Sequence, residues 1–472
     1  MGLKTFDRGI HPAYNKELAS SKAILSADLP KTVVIPLRQH AGAPCSPLVK
    51  KGDVVTEGQK IADVEAFVSA PIHASISGKV KEIDLYQHPV GMKVPSIVIV
   101  GDGEKKDWGT SGGPKVDLSS LSADAIRKSI REHGIVGMGG AGFPTAVKLN
   151  APKGKVIDTI LLNGCECEPY LTADHRIMLE EAEKVVWGMR ALMKGVGAKN
   201  GFIGIEDNKK DATAAIKKAL AGSDDIKVIE LQTKYPQGAE KMLIKAALNR
   251  KVPKGKLPLD VGVVVNNVGT AAAIFDALNY GKPLIERVVT VSGNGVKEPK
   301  NLLCRIGTSF EEVLRQCGGL KEEGEFEVLN GGPMMGIAQM QLDVPIIKGT
   351  SGITALMGDV IKPKKYEPCI RCASCVEVCP MALMPYRLGD YGKMQRLGEF
   401  NGWGGFDCIE CGCCSYVCPS KRPLLQWIRL GKLRIRQEQQ AEQQAQQKAE
   451  QAEQAKQVIE AKQTEAAPEK FF

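Results

Sequence analysis

The chain has 472 residues, 43% apolar and 25% charged, too long for a single core and too apolar for disorder, so several globular domains are expected. Its formal charge of +9 comes from lysines dispersed along the sequence, which argues against nucleic-acid binding, and no stretch approaches the roughly 18 consecutive apolar residues of a membrane span. Met1 to Ile10 lacks the apolar core of a secretory signal, and fourteen cysteines, nine of them between Cys369 and Cys418, point to metal ligation rather than disulfides.

In chain order, residues 1–105 alternate short β-rich runs with turns, an all-β unit. Its GD-x-V-x-x-GQ-x-I run and later SAPIHASISGKV resemble the biotinyl/lipoyl-like barrel-sandwich fold. Such carriers attach their cofactor to a lysine at a hairpin tip; here the tip reads Glu65, Ala66 and Phe67, which favours a docking or structural role. A linker-like GDGEKKDWGTSGG leads into residues 115–285, where strands at 156–163, 202–206, 226–231 and 261–267 alternate with helical periodicity at 175–194, 211–221, 239–249 and 271–279. That alternation predicts an α/β layered domain. Residues 286–350 return to short strands around a helical 309–317, a small α+β module, 360–432 hold the cysteines, and 433–472 form a Gln/Glu/Ala-rich tail, helical and solvent-exposed or disordered. The fold class is therefore multidomain α/β and α+β.

Cys369, Cys372, Cys375 and Cys379 followed by Pro380 read C-x2-C-x2-C-x3-C-P, and Cys408, Cys411, Cys414 and Cys418 followed by Pro419 repeat the run. In two-cluster ferredoxins the fourth cysteine of each run ligates the other cluster. One [4Fe–4S] cluster is thus expected on Cys369, Cys372, Cys375 and Cys418, the other on Cys408, Cys411, Cys414 and Cys379. Zinc is the competing metal for C-x2-C pairs, but a third cysteine two residues further on wraps three corners of a cubane. Cys413 introduces a one-residue ambiguity; Cys414 preserves the spacing and is taken as the ligand. Ile370, Ala373, Val376, Ile409 and Val417 fit a dry lining or ordinary core.

Residues 137–145 read GMGGAGFPT, four glycines in the first six positions, a loop whose backbone amides can approach a phosphate or flat ring closely. GMGGAGFPTAVK (137–148) resembles the GRGGAGFPTGLKW signature of the NADH-binding flavoprotein subunit of respiratory complex I. Three segments follow in that family's order: NGCECEP (163–169) resembles NADExEP, YPQGAEKML (235–243) resembles YxxGEExAL, and VNNVGT (265–270) resembles VNNVET. The resemblance implies FMN held by the loop residues Gly137, Gly139, Gly140, Ala141 and Gly142, with Lys148, Asn163, Glu166, Tyr235, Gly238, Asn266, Asn267 and Thr270. It places Phe143, Glu168 and Glu240 on the nicotinamide side of an NAD(H) site. Cys165, Met138, Ala239 and Gly269 depart from the family's residues. No side chain is expected to act as nucleophile or general base, since the cofactors carry the chemistry.

The order of modules, barrel-sandwich unit, flavoprotein-like domain, β-grasp-like soluble-ligand-binding module and two-cluster ferredoxin unit, resembles the RnfC family of Rnf ion-translocating electron transport complexes. That implies an oxidoreductase passing electrons between nicotinamide, FMN and two clusters, at the cytoplasmic face of the cell membrane. The partners implied are the other Rnf subunits, with ferredoxin reached through one of them. A second reading is a cluster-bearing wire and docking subunit with a relic flavin fold. A cobalamin-reductase-type flavoprotein is disfavoured by module order. His133 and His175 are expected to be structural, Cys45, Cys304 and Cys317 buried thiols, and Met334 and Met335 core residues.

Overall fold

A computed structural model describes residues 2–465 apart from 111, 153, 323 and 362–364. The chain forms two compact units, 1–364 and 365–472. In the first, residues 2–26 form an arm: Lys4 bridges Leu231, Ile10 bridges Tyr235, and strand β1 (Ile24–Ser26) joins a sheet built by residues beyond 286. The all-β unit follows. Strands β2 (Thr32–Pro36), β3 (Gly78–His88) and β4 (Met92–Gly101) pair antiparallel in the order β2-β4-β3, with Val54–Val55 at the edge. A second sheet of Ser46–Pro47, Lys60–Asp63 and Ile72–His73 faces it. Val33 and Ile35, two residues apart and so on one face of β2, meet Ile61, Ile72, Ile97 and Ile99 in the core between the sheets. At the tip where carriers place a lysine, Phe67 is 72% exposed.

Strands β5 (Thr159–Gly164), β6 (Asn200–Glu206), β7 (Ile226–Leu231) and β8 (Val263–Asn267) form an all-parallel sheet in the order β7-β6-β5-β8. Runs such as ILL and VVV are apolar at every position because both faces are covered. Helices α1 (Ala123–Glu132), α2 (Ala173–Glu180), α3 (Ala182–Val196), α4 (Lys210–Leu220) and α6 (Val268–Tyr280) share a core with Ile160, Leu162, Ile203, Ile205 and Val264. On the other face α5 (Glu240–Leu248) packs Leu243 and Ile244 against Leu161, Val263 and Val265. The helix expected over 175–194 is two helices, because Glu181 (φ −124°, ψ 31°) leaves the helical region.

Strands β9 (Glu286–Ser292), β10 (Lys300–Arg305), β11 (Phe326–Asn330), β12 (Ile337–Gln339) and β13 (Gly352–Met357) form a mixed sheet, order β1-β10-β9-β13-β11-β12. It takes β1 from the arm and β13 from beyond residue 350. The helix Phe310–Arg315 covers it, capped where the Ser309 hydroxyl accepts from Glu312 N–H.

In the second unit, α7 (Pro385–Lys393) packs on the start of α8 (Leu424–Glu465) around Leu388, Phe400, Ile428 and Ile435. The tail continues α8 as helix, with residues 436–450 exposed; residues 466–472 of the expected tail lie outside the described residues. Among the described residues no helix is long and apolar enough to cross a membrane.

Candidate functional site

In the parallel sheet the chain leaves β5 and β8 at adjacent carboxyl ends on either side of the point where strand order reverses. This is the place where open α/β sheets bind ligands. Asn163, the last residue but one of β5, is in register with Asn267 at the end of β8. The glycine loop closes over this edge: Gly137 N–H donates to Phe143 C=O at 2.9 Å, and Met138 N–H donates to the Thr270 hydroxyl at 3.0 Å. Gly139, Gly140 and Ala141 form an exposed lip with Phe143 half-buried behind it. A Cβ on Gly139 would stand 2.7 Å from Asn267 Nδ2, so only glycine allows this approach.

Polar side chains converge beneath the loop. Lys148 Nζ donates to Val265 C=O at 3.0 Å; burial lowers its pKa and the Glu240 charge opposes that shift. Glu240, accessible to solvent on one side and crowded by protein on the other, has its pKa raised by lost hydration against the pull of Lys148. Asn163 Nδ2 donates to Gly238 C=O at 2.9 Å. Asn267 caps α6 by accepting from Gly269 N–H at 2.8 Å and donates to Asp174 at 2.6 Å. The Asn266 amide is buried with neither its nitrogen nor its oxygen partnered, and so is that of Gln237. Two buried, wholly unpaired amides beside a cradle too tight for a Cβ are what a polar, ring-shaped ligand would satisfy. The donor set fits FMN.

Three expected site residues have other partners. Glu166 caps α2, accepting from Asp174 and His175 N–H at 2.8 and 3.1 Å. One Glu168 carboxylate oxygen accepts from Met334 and Met335 N–H at 2.6 and 3.1 Å, and burial raises its pKa against those bonds. Tyr235 is fully buried, bonded to Glu168 and, through its backbone, to Ile10. The Met334–Met335 pair is not core: it presents backbone amides to Glu168, and Met335 is exposed. His175 Nε2 donates to the Asp211 carboxylate at 2.8 Å, and Cys45, Cys304 and Cys317 are buried.

Sequence reasoning passed over residues that hold the loop from outside. Gln237 lies inside the YPQGAE segment, between two residues singled out there. Arg287 is buried, donating to Lys348 C=O at 2.5 Å and Met138 C=O at 3.3 Å, and Lys348 N–H donates to the Gln39 side chain at 2.9 Å. The Arg287 charge opposes the burial that pushes up the pKa of Asp174. Nothing near these positions in the sequence links them to the loop.

In the second unit, one cavity of about 510 Å³ is lined by Cys369, Cys372, Cys375 and Cys418, and a tighter one of about 20 Å³ by Cys379, Cys408, Cys411, Cys413 and Cys414. The fourth cysteine of each run thus joins the other run's three. The backbone repeats too: Arg371 and Glu410 have φ of 57° and 59°, Ala373 and Gly412 64° and 80°, Ala382 and Lys421 53° and 52°. Each left-handed residue turns the chain so that successive cysteines face one cavity. Cys413 occupies the position equivalent to Ser374. Among the described residues no group of three or more His, Cys, Asp or Glu is gathered as a site for a metal ion. The cysteines ring cavities instead of meeting at a point, as a cubane requires and a lone tetrahedral zinc does not.

A parallel sheet with a glycine loop at its switch point, in one chain with paired C-x2-C-x2-C-x3-C-P runs, defines an electron-transfer protein of the oxidoreductase class. Family comparison agrees: residues 4–104 match the RnfC barrel sandwich hybrid domain, 130–276 the Nuo51 FMN-binding domain, 288–338 the SLBB domain and 368–422 the 4Fe-4S dicluster domain. The chain is 49% identical over 428 residues to a member of the proton-translocating ferredoxin:NAD(+) oxidoreductase complex of Clostridium ljungdahlii, covering 90% of this chain and 93% of that one. It is 47% identical to a member of the Na(+)-translocating ferredoxin:NAD(+) oxidoreductase complex of Acetobacterium woodii, covering 91% and 97%. With a member of the ion-translocating oxidoreductase complex of Rhodobacter capsulatus it shares 43% identity, covering 80% and 73%. All three relatives bear the letter C within their complexes. The chain belongs to their family, the RnfC subunits of Rnf-type ion-translocating oxidoreductase complexes.

Proposed function

We propose that the chain is the peripheral NADH-oxidising or NAD-reducing subunit of a membrane-bound ferredoxin:NAD oxidoreductase ion pump, working on the cytoplasmic face with the other Rnf subunits as partners. Ferredoxin is reached through one of those subunits. The observation that carries this reading is the pair of unpaired buried amides, Asn266 next to the strand-end Asn267 and Gln237 next to Gly238, whose carbonyl accepts from Asn163.

FMN, when bound, exchanges an electron pair with nicotinamide and single electrons with two [4Fe–4S] clusters. Gly137, Gly139, Gly140, Ala141 and Gly142 let backbone amides close on the flavin, and Thr270 pins the loop through Met138 N–H. Asn163, Asn266 and Asn267 present amides at the strand ends, and Gly238 keeps the opposite wall thin. Lys148 supplies a cation for phosphate or flavin oxygens, balanced by Glu240. Glu166 acts at one remove, capping α2 and so fixing Asp174, which orients Asn267. Phe143 and Glu240 face the nicotinamide side; Glu168 and Tyr235 back it. Cys369, Cys372, Cys375 and Cys418 hold one cluster, and Cys408, Cys411, Cys414 and Cys379 the other.

In finer architecture, 1–105 is a barrel-sandwich unit, 115–285 a Rossmann-like flavoprotein domain, 286–350 extended to Met357 a β-grasp-like module, 360–432 a two-cluster ferredoxin domain and 433–472 a tail. The strand order β7-β6-β5-β8 and the arm shared among modules support that division. A second reading, a cluster-bearing wire without nucleotide chemistry, is favoured by one observation: the Glu168 carboxylate is already taken by two backbone amides.

Anaerobic purification followed by absorbance spectra before and after NADH decides between them. About one flavin and about eight iron per chain, with bleaching by NADH, are expected for a flavin and two cubanes. Iron without flavin or bleaching, in a preparation reconstituted with FMN, would leave the wire.

A further inference from the structure

The two cysteine cavities share a backbone conformation and differ in what surrounds them. The smaller is lined by Met381, Leu383, Leu388, Ile409 and Ile428, and four of its five thiols are buried. Glu410, at its rim, is closed off by Arg429 at 3.0 Å and Lys432 at 2.8 Å. At the equivalent position of the larger cavity stands Arg371, with the same φ and no acidic partner among the described residues. Arg387 bonds the Tyr386 hydroxyl at 3.1 Å and lies over the Trp403 ring at 4.5 Å. Lys393 lies over the Tyr366 and Trp427 rings. Carboxylates answer Arg396 and Arg422, through Glu399 and Asp390, but none answers these three cations among the described residues.

Exposed apolar side chains, Ile370 at 68% and Met394 at 64%, line the same cavity as Arg371 and Arg387, Met394 directly follows Lys393, and Cys369 and Cys372 are themselves exposed. Arginine, aromatic and methionine side chains held in place by ring contacts form the kind of surface whose contacts dominate protein interfaces, because little freedom is lost on binding. An uncompensated cationic rim selects an acidic face.

We propose that this rim docks the acidic face of another redox-active subunit of the complex, against the centre held by Cys369, Cys372, Cys375 and Cys418. The inference rests on the reading that those cysteines hold a cluster. The exchange it serves moves one electron, oxidising the donor centre and reducing the acceptor, with no bond or proton transferred. The inner cavity, ringed by apolar side chains, then relays within the chain.

Carbodiimide cross-linking of the purified complex, which joins lysine directly to carboxylate, tests the rim. Lys393 linked to an Asp or Glu of another subunit is the expected product; Lys393 linked only to residues 2–364 of this chain would overturn the proposal. A second arm follows retention of this subunit on the complex in rising salt. Arg387→Glu with Lys393→Glu should weaken retention at least about tenfold, and Lys218→Glu on α4 should not. Equal retention of the two variants would also overturn it. Iron content read on each preparation separates the readings: loss of iron from the unmutated complex sinks the cluster assignment, whereas full iron with unchanged retention sinks the docking.

Discussion

The cysteine unit builds both cavities from residues of one stretch, Cys369 to Ile428, whereas the glycine-loop site draws on segments as far apart as Gln39 and Lys348, 309 residues away in sequence. The first is built by residues of one compact unit alone, so damage to it should come from the ligands themselves. The second is a keystone: Met138 is held by Arg287 and Thr270 and Gly142 by the Ala41 backbone, each from a different part of the fold. Remote packing changes should therefore reach the flavin site and spare the clusters.

The largest effect is expected from Cys375→Ala: iron should fall from about eight to about four or fewer per chain while bound flavin stays, measured on one anaerobic preparation. Loss of flavin together with iron would break that separation. Next comes Arg287→Ala, which leaves Asp174 without its opposing charge and Met138 and Lys348 carbonyls unbonded in the interior. It should cost about 3–5 kcal/mol in denaturant unfolding of the first unit and release flavin without touching iron. Lys348 sharpens the same contrast. Its ammonium is buried on the Pro71 and Gly134 carbonyls, and burial pushes its pKa down from 10.5 to about 7. Between those values the unfolded chain keeps a proton that the folded one has lost, so stability should rise with pH, by up to about 1.4 kcal/mol per unit. The rise is cleanest from pH 7 to 9, before buried thiols such as Cys45, pushed up to about 11, oppose it. Lys348→Met should flatten that slope in unfolding titrations of the first unit. The smallest effect is Gly139→Ala, whose methyl would press on Asn267: flavin retention should weaken about tenfold with little change in unfolding.

The difference in construction also governs how far each region could be read from the sequence. The cysteine spacing is local, and left-handed residues at repeated positions turn it directly into two rings of thiols. The strand at 226–231 coincides with β7, since an apolar run between turns has few alternatives. Asn163 and Asn267 were readable as strand-end amides. Glu168 was not readable as occupied, because its partners Met334 and Met335 arrive 166 and 167 residues later. Gln237 lay within a recognised segment and went unmarked because an amide side chain carries no motif of its own. Arg287 and Lys348 act through contacts to backbone carbonyls far away in sequence, which leave no spacing pattern at all. The break at Glu181 likewise has no glycine or proline to announce it.

The arm of residues 2–26 has a consequence for synthesis. Its pairing partners, Leu231, Tyr235 and the strand containing Asn301 to Leu303, lie far downstream. During translation β1 must wait for Leu303 to emerge before it can join its sheet, roughly 15–55 s at ordinary elongation rates. The first unit is thus fastened late, by its own beginning, and the flavoprotein fold cannot be sealed until the module beyond residue 286 exists to receive that strand.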